Sequence, residues 1–269
     1  MVTPTPAAPP VSATLNLTYT LPLAQGIDPL ALDVYAPAAK QNRPVVVFLH
    51  GTGESKRFYV RPMRTLAEQG LVVYAADWPV WVASRAARDD GRGFREIVET
   101  LACAVRYARA TAADYGGDRS RLTLVGFSAG AAMGASLAFA GDEPERAWAE
   151  FAAERGAPPQ QVKCAQSGDS AHVDAFVGVG GAYGLGEALQ KEDPRLWQLV
   201  SVTTHIVARR NLRVRLLHGA FDTLVPIERS MQFAETLSQA GYDARFVRFD
   251  RGHVVPETLV AEEILKLWQ

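Results

Sequence analysis

Short apolar runs recur along this chain with helix-like segments between them, and that alternation leaves few folds open to it. The runs Val45–Leu49, Leu71–Ala75, Leu122–Val125, Ala175–Val179, Leu212–Leu217 and Ala244–Phe249 have the length of strands. Their mostly apolar character suits strands covered on both faces. Residues 56–69, 93–115, 129–140, 227–240 and 254–268 read as helices, the last with Pro256 near its first turn. Strand and helix in alternation imply a mostly parallel central sheet with helices on both faces. Ala13–Thr20 and Leu30–Tyr35 differ, because apolar and polar residues alternate in them. They are expected to form an N-terminal antiparallel hairpin with one wet face.

No internal repeat or linker divides the pattern, so one domain is expected over residues 12–269. Residues 1–11, rich in Pro, Ala and Thr, read as a disordered lead-in. Two stretches exceed the minimal alternation. Gly141–Ala171 carries an amphipathic helix around Pro144–Arg155, and residues 185–211, which include Trp197, follow a strand's carboxyl end. The second is expected to form a small cap over the edge where such sheets bind ligands.

Gly126-Phe127-Ser128-Ala129-Gly130 lies directly between the run Leu122–Val125 and the small-residue stretch Ala131–Ala135. A bare G-x-S-x-G occurs by chance in about one chain in ten of this length, so its context decides its meaning. Here the serine stands at a strand-to-helix corner, with its hydroxyl at the positive end of the following helix. The flanking glycines let strand and helix approach closely enough for the corner to close.

A serine alcohol is a poor nucleophile until a base takes its proton, and that base needs a third group to fix its tautomer. Both partners are present downstream at strand ends. Asp222 follows the run Leu212–Leu217, and His253 follows Ala244–Phe249. With the Ser, Asp, His order, the chain from about Leu30 to Gln269 resembles the α/β-hydrolase superfamily, and within it the serine carboxylesterases and lipases. The resemblance implies the α/β-hydrolase fold, with Ser128 as nucleophile, Asp222 as orienting acid and His253 as general base. Taken alone, Asp222 would read as a turn cap and His253 as a surface histidine.

His50-Gly51-Thr52-Gly53 follows the strand Val45–Leu49 and is similar to the oxyanion loop of that superfamily, commonly His-Gly-Gly-Gly. The resemblance makes the backbone N–H groups of Thr52, Gly53 and Ala129 the expected oxyanion donors. Thr52 departs from the pattern by adding a Cβ where the backbone could need unusual dihedrals. Asp77-Trp78-Pro79-Val80-Trp81 stands where one branch of the family carries Asp-Tyr-Arg-Leu-Ala-Pro. Trp78 and Trp81 either wall a substrate pocket or belong to the core, and Trp197 in the expected cap is a third candidate wall.

The formal net charge is −1, and no stretch concentrates Lys and Arg, which speaks against a nucleic-acid or anionic-membrane partner. Arg57, Arg61 and Arg64 are read as a solvated helix face. No apolar run is long enough to span a bilayer, and the N-terminus lacks the basic and apolar regions of a secretion signal. The compartment therefore stays open between cytoplasmic and secreted in mature form. Cys103 and Cys164 could form one bridge in a secreted protein; two free thiols are the favoured expectation, since a free cysteine commonly behaves as a small buried hydrophobe.

His50 and His218 precede glycines at strand ends and are read as partners of loop carbonyls; His172 and His205 have no ligand-like neighbours. No metal motif is present. Gly178–Gly184 fails as a dinucleotide fingerprint because Tyr183 occupies the sixth position. No cofactor is expected. The expected function is cleavage of short- to medium-chain carboxylic esters, the partner being a small-molecule ester. A peptidase or amidase with the same triad is the alternative, followed by a binding protein of the same fold.

Overall fold

The computed structural model describes residues 10–22, 28–80, 92–141, 144–154, 156, 162–166, 168–184, 187–206 and 211–269. Its strands are β1 (Val11–Thr18), β2 (Ala31–Pro37), β3 (Arg43–Leu49), β4 (Val72–Ala76), β5 (Gly117–Phe127), β6 (Ala175–Val179), β7 (Arg213–Gly219) and β8 (Ala244–Phe249). They form one sheet in the order β1-β2-β4-β3-β5-β6-β7-β8. β1 and β2 pair antiparallel, β2 joins β4 antiparallel, and every pair from β4 to β8 is parallel. β1 already begins at Val11, the last position assigned to the lead-in, and residues 1–9 lie outside the described residues.

The helices are α1 (Val60–Glu68), α2 (Arg92–Thr111), α3 (Ala129–Ala140), α4 (Pro144–Glu154), α5 (Glu187–Glu192), α6 (Pro194–Val200), α7 (Ile227–Gln239) and α8 (Glu257–Lys266). Alternating side chains of each strand feed opposite faces of the sheet. Val45, Val47 and Leu49 of β3 enter a core with α2, α3 and α7, whereas Val46 and Phe48 enter a second core with α1 and α8. α1 buries Met63, Leu66 and Ala67, a helical spacing that leaves Arg57, Arg61 and Arg64 exposed.

α3 is buried nearly all round, including Ala131, Gly134, Ala135 and Phe139. Its small residues let it lie close on the sheet, so the serine corner at its start rests on a buried, closely packed helix. Among the described residues, no helix is long and apolar enough to cross a membrane.

The segment expected to form a cap packs on the α3 side of the sheet. Leu196, Leu199, Val202 and Ile206 enter the core, the Ser136 hydroxyl donates to the Val200 carbonyl at 3.1 Å, and Arg195 pairs with Glu154 at 3.1 Å. Residues 185–186 and 207–210 of that segment lie outside the described residues.

Cys103 and Cys164 form a disulfide, which corrects the expectation of two free thiols. Thr20 bridges Cys164 in an antiparallel pair, and the Leu21 N–H donates to Lys163 O at 2.8 Å. That pairing helps hold residues 162–166 where Cys164 reaches α2, with Cα atoms 5.0 Å apart. The bond closes a loop of sequence separation 61, so it restricts the unfolded chain substantially. Replacing both cysteines with alanine is expected to destabilise the fold by about 2–4 kcal/mol. Denaturant unfolding of the variant measures this, and a midpoint equal to that of the unaltered protein would contradict it.

Candidate active site

Ser128 has φ 53° and ψ −117°, one of three non-glycine positive φ values among the described residues. Such a conformation costs on the order of 1–3 kcal/mol and persists only where its surroundings enforce it. The Ser128 N–H donates to Val179 O at 2.8 Å, and its carbonyl accepts from Ala131 N at 3.0 Å and Ala132 N at 3.2 Å. Both flanking glycines are sterically required. A Cβ on Gly126 would stand 2.3 Å from the Gly130 oxygen, and one on Gly130 would stand 2.4 Å from the Leu49 oxygen. The serine makes no side-chain capping bond, so its hydroxyl is left for other chemistry.

Asp222 lies in the loop after β7 and His253 in the loop after β8. Backbone bonds splice the two loops together, Ala220 N donating to Phe249 O at 2.6 Å and Phe221 N to Arg251 O at 2.9 Å. His253 Nδ1 stands 2.6 Å from Asp222 Oδ2. The other carboxylate oxygen accepts from Leu224 N and Val225 N, each at 2.9 Å. Burial alone would push the Asp222 carboxyl up, but the donors Val225 N–H, His253 and Leu224 N–H outweigh it and hold the group below the ordinary carboxylate range. An ionised Asp222 makes Nδ1 of His253 the protonated nitrogen, which leaves Nε2 as a base.

The imidazole of His253 lies against the Phe127 ring, with centroids 4.9 Å apart, and against Gly180, where a Cβ would stand 3.1 Å from Cε1. Phe127 precedes Ser128 and Gly180 follows the strand whose last carbonyl holds the Ser128 N–H. These contacts bring the histidine to the serine corner.

The loop after β3 reaches the same corner, since a Cβ on Gly51 would lie 3.3 Å from Ser128 Cβ. Its left-handed residue is Gly53, with φ 75°, whereas Thr52 is not among the residues of positive φ. The added Cβ of Thr52 therefore meets no left-handed backbone. The Gly51 N–H is already held by Glu54 Oε2 at 2.8 Å, and the Tyr59 hydroxyl donates to the same oxygen. Burial, reinforced by Glu54, raises the Tyr59 hydroxyl and keeps it a donor. Thr52 and Gly53 are exposed residues of this loop, and Ala129 heads α3, where a first-turn N–H has no intrahelical acceptor.

His50 is buried and donates from Nδ1 to Gly51 O at 3.0 Å. Burial lowers its proton affinity, only partly opposed by the Gly51 carbonyl, Asp77 and Glu54. Beneath this loop Lys56 is buried, its ammonium 2.8 Å from Asp33 Oδ1 and 2.7 Å from Asn16 Oδ1, while Lys56 N donates to Asp77 Oδ1 at 2.8 Å. A buried ammonium is tolerated because these oxygens satisfy it. Lys56 and Glu54 anchor the loop from both sides, and sequence reasoning did not single out either one.

An apolar cavity of about 330 Å³ opens beside the corner. Phe48, Phe58, Tyr59, Met63, Phe127 and Val254 are among its lining residues. It therefore borders the residues next to Ser128 and His253, on the α1 and α8 side of the sheet. The structure does not bring the expected tryptophan wall to this cavity. Trp78 is buried in the opposite core, its indole N–H donating to His50 O at 3.1 Å, and Trp197 is half-buried on α6. Trp81 lies outside the described residues. No group of three or more His, Cys, Asp or Glu that could hold a metal ion occurs among the described residues.

The family model of BD-FAE matches residues 32–237 of this sequence. The chain belongs to the BD-FAE family. Esterase LipC of Mycobacterium tuberculosis is 25% identical over 231 residues, covering 74% of this chain and 50% of LipC. A probable isoprenylcysteine alpha-carbonyl methylesterase of Arabidopsis thaliana, ICMEL1, is 24% identical over 254 residues, covering 81% of this chain and 47% of that protein. The chain thus spans about half the length of the curated relatives it matches. Among solved structures, the butyrate-bound esterase Est2 of Thermogutta terrifontis is similar with a TM-score of 0.65 and 22% identity, covering 93% of this chain and 91% of that one. The architecture is the α/β-hydrolase fold, as the order of strand runs and site residues implies.

Proposed function

We propose that this chain is a serine hydrolase that cleaves carboxylic esters through an acyl-enzyme. The observation that carries the reading is the 2.6 Å contact between Asp222 Oδ2 and His253 Nδ1, made beside a serine in a strained strand-to-helix corner. His253 Nε2 takes the Ser128 proton as Oγ adds to the ester carbonyl carbon. The oxyanion accepts hydrogen bonds from backbone N–H groups of Ala129, Thr52 and Gly53; a donor of this kind is worth about 10²- to 10³-fold in turnover. The carbonyl re-forms, the alkoxide leaves with the proton held by His253, and the acyl group remains on Ser128. Water, deprotonated by the same histidine, then releases the acid and restores the serine.

The apolar cavity supports a short- to medium-chain substrate. At about 330 Å³ it stands at the lower end of ligand cavities, which range over roughly 300–1,000 Å³. No charged group needs a partner cofactor in this cycle. The whole is read as one catalytic domain. The Cys103–Cys164 bond favours an oxidising compartment for the mature protein over the cytoplasm.

A substrate panel tests the reading. p-Nitrophenyl butyrate is expected to give a kcat/KM at least about tenfold above p-nitrophenyl palmitate, since a mismatch at a pocket is worth about 1–3 kcal/mol, and above butyryl p-nitroanilide, whose amine is a poorer leaving group. Faster cleavage of the anilide would favour the amidase alternative. Hydrolysis of none of the three by the folded protein would favour a binding function.

A further inference from the structure

His218 lies near the end of β7 with its side chain fully buried, outside the site described so far. Its Nε2 stands 3.0 Å from the Val225 carbonyl and 3.0 Å from Asp222 Oδ2. Its Nδ1 stands 2.7 Å from the hydroxyl of Ser230, a buried residue in the first turn of α7. A carbonyl can only accept, so the nitrogen facing Val225 must carry a hydrogen. Asp222 Oδ2 is an acceptor as well, and the Ser230 hydroxyl is free to donate to the opposite ring nitrogen. One neutral tautomer, protonated at Nε2, therefore satisfies the Val225 carbonyl and the Ser230 hydroxyl, its N–H directed at Val225 O with Asp222 Oδ2 alongside.

The Asp222 side chain is fully buried, so no water can complete its hydrogen bonding. Leu224 and Val225 donate to one oxygen, and His253 occupies the other at 2.6 Å. Without the His218 bond to its carbonyl, the turn through Val225 could shift, and the carboxylate would lose the N–H groups that keep it in line with Nδ1 of His253. The geometry points to His218 as a positioning residue that donates Nε2–H to Val225 O, its tautomer set by Ser230, so that the turn whose Leu224 and Val225 N–H groups hold Asp222 Oδ1 keeps the carboxylate in line with His253. It rests on the reading of Ser128, Asp222 and His253 as a catalytic triad.

The test compares His218→Leu, His218→Gln and Ser230→Ala with the unaltered protein, using p-nitrophenyl butyrate and thermal unfolding. Leucine keeps apolar volume without a donor, whereas glutamine can place an amide N–H close to the Nε2 position. His218→Leu is expected to lower kcat by about 10- to 100-fold with KM unchanged, by analogy with the loss when a residue that orients a metal ligand is removed. His218→Gln is expected to recover most of that loss, and Ser230→Ala to show a smaller fall in kcat, also at unchanged KM. A folded His218→Leu protein with ordinary kcat would overturn the proposal, as would equal losses in the Leu and Gln variants. If the leucine variant does not fold, an unaltered kcat in Ser230→Ala together with a full loss in His218→Gln overturns it. Ser128→Ala is run alongside. Activity surviving in that control would remove the triad reading itself, whereas inactivity there with ordinary His218 variants would remove only this inference.

Discussion

Ser128→Ala is expected to lower kcat for ester hydrolysis by roughly 10⁶-fold while leaving the fold intact, as removal of a triad nucleophile does in serine hydrolases. The corner makes the expectation unusually clean. Ser128 Oγ makes no capping bond to α3, and the residue is held by its backbone N–H and carbonyl, which alanine keeps. Alanine meets the same φ of 53° with a Cβ of its own, so the strain is unchanged. Circular dichroism and thermal unfolding should therefore match those of the unaltered protein. Retained turnover in such a variant would mean that the chemistry lies elsewhere.

Asp222→Asn comes next in size, with an expected fall in kcat of about 10⁴-fold. Two backbone N–H groups, from Leu224 and Val225, point at Oδ1 from 2.9 Å, so the new amide must present its oxygen there. Its NH₂ then faces His253 Nδ1, which can meet a donor only as an acceptor. The ring proton is driven to Nε2, and the histidine can no longer take the serine proton. The same NH₂ also confronts His218 Nε2, so the substitution should cost stability in addition to activity. Kinetics on p-nitrophenyl butyrate and a thermal melt read both effects. A variant with kcat within tenfold of the unaltered protein would show that Asp222 does not set the tautomer of His253.

Sequence revealed the parts of this molecule whose physics is local. Strands β3, β4, β6 and β7 are short apolar runs because both their faces are covered, and that leaves a readable pattern. β5 is longer than its run, since Asp118 to Arg121 stand at a register shift against β3, are half-buried or exposed, and carry no apolar signal. The serine corner is likewise legible, because the glycines that permit it are neighbours of the serine.

Features that depend on packing between distant segments were not legible. Cys164 meets Cys103 where Thr20 and its neighbours pair with a loop far along the chain. Trp78 follows β4 closely enough to suggest a pocket wall, yet which core it enters depends on the His50 carbonyl that receives its indole. The cavity wall is supplied instead by Phe58, Tyr59 and Met63, in a segment whose periodicity shows a buried stripe but not the space left beside it. His218 was read as a partner of a loop carbonyl, which Val225 supplies. Asp222 comes to 3.0 Å from the same nitrogen only when the loop after β7 folds back.

Covalent trapping tests the central claim most directly. The protein is incubated with a serine-directed organophosphonate, the residual hydrolysis of p-nitrophenyl butyrate is followed, and the modified peptide is located by mass spectrometry. The account predicts one phosphonyl group per chain, on Ser128, with hydrolysis lost in step with labelling. Full labelling at another residue, or hydrolysis that persists after Ser128 is fully modified, would contradict it.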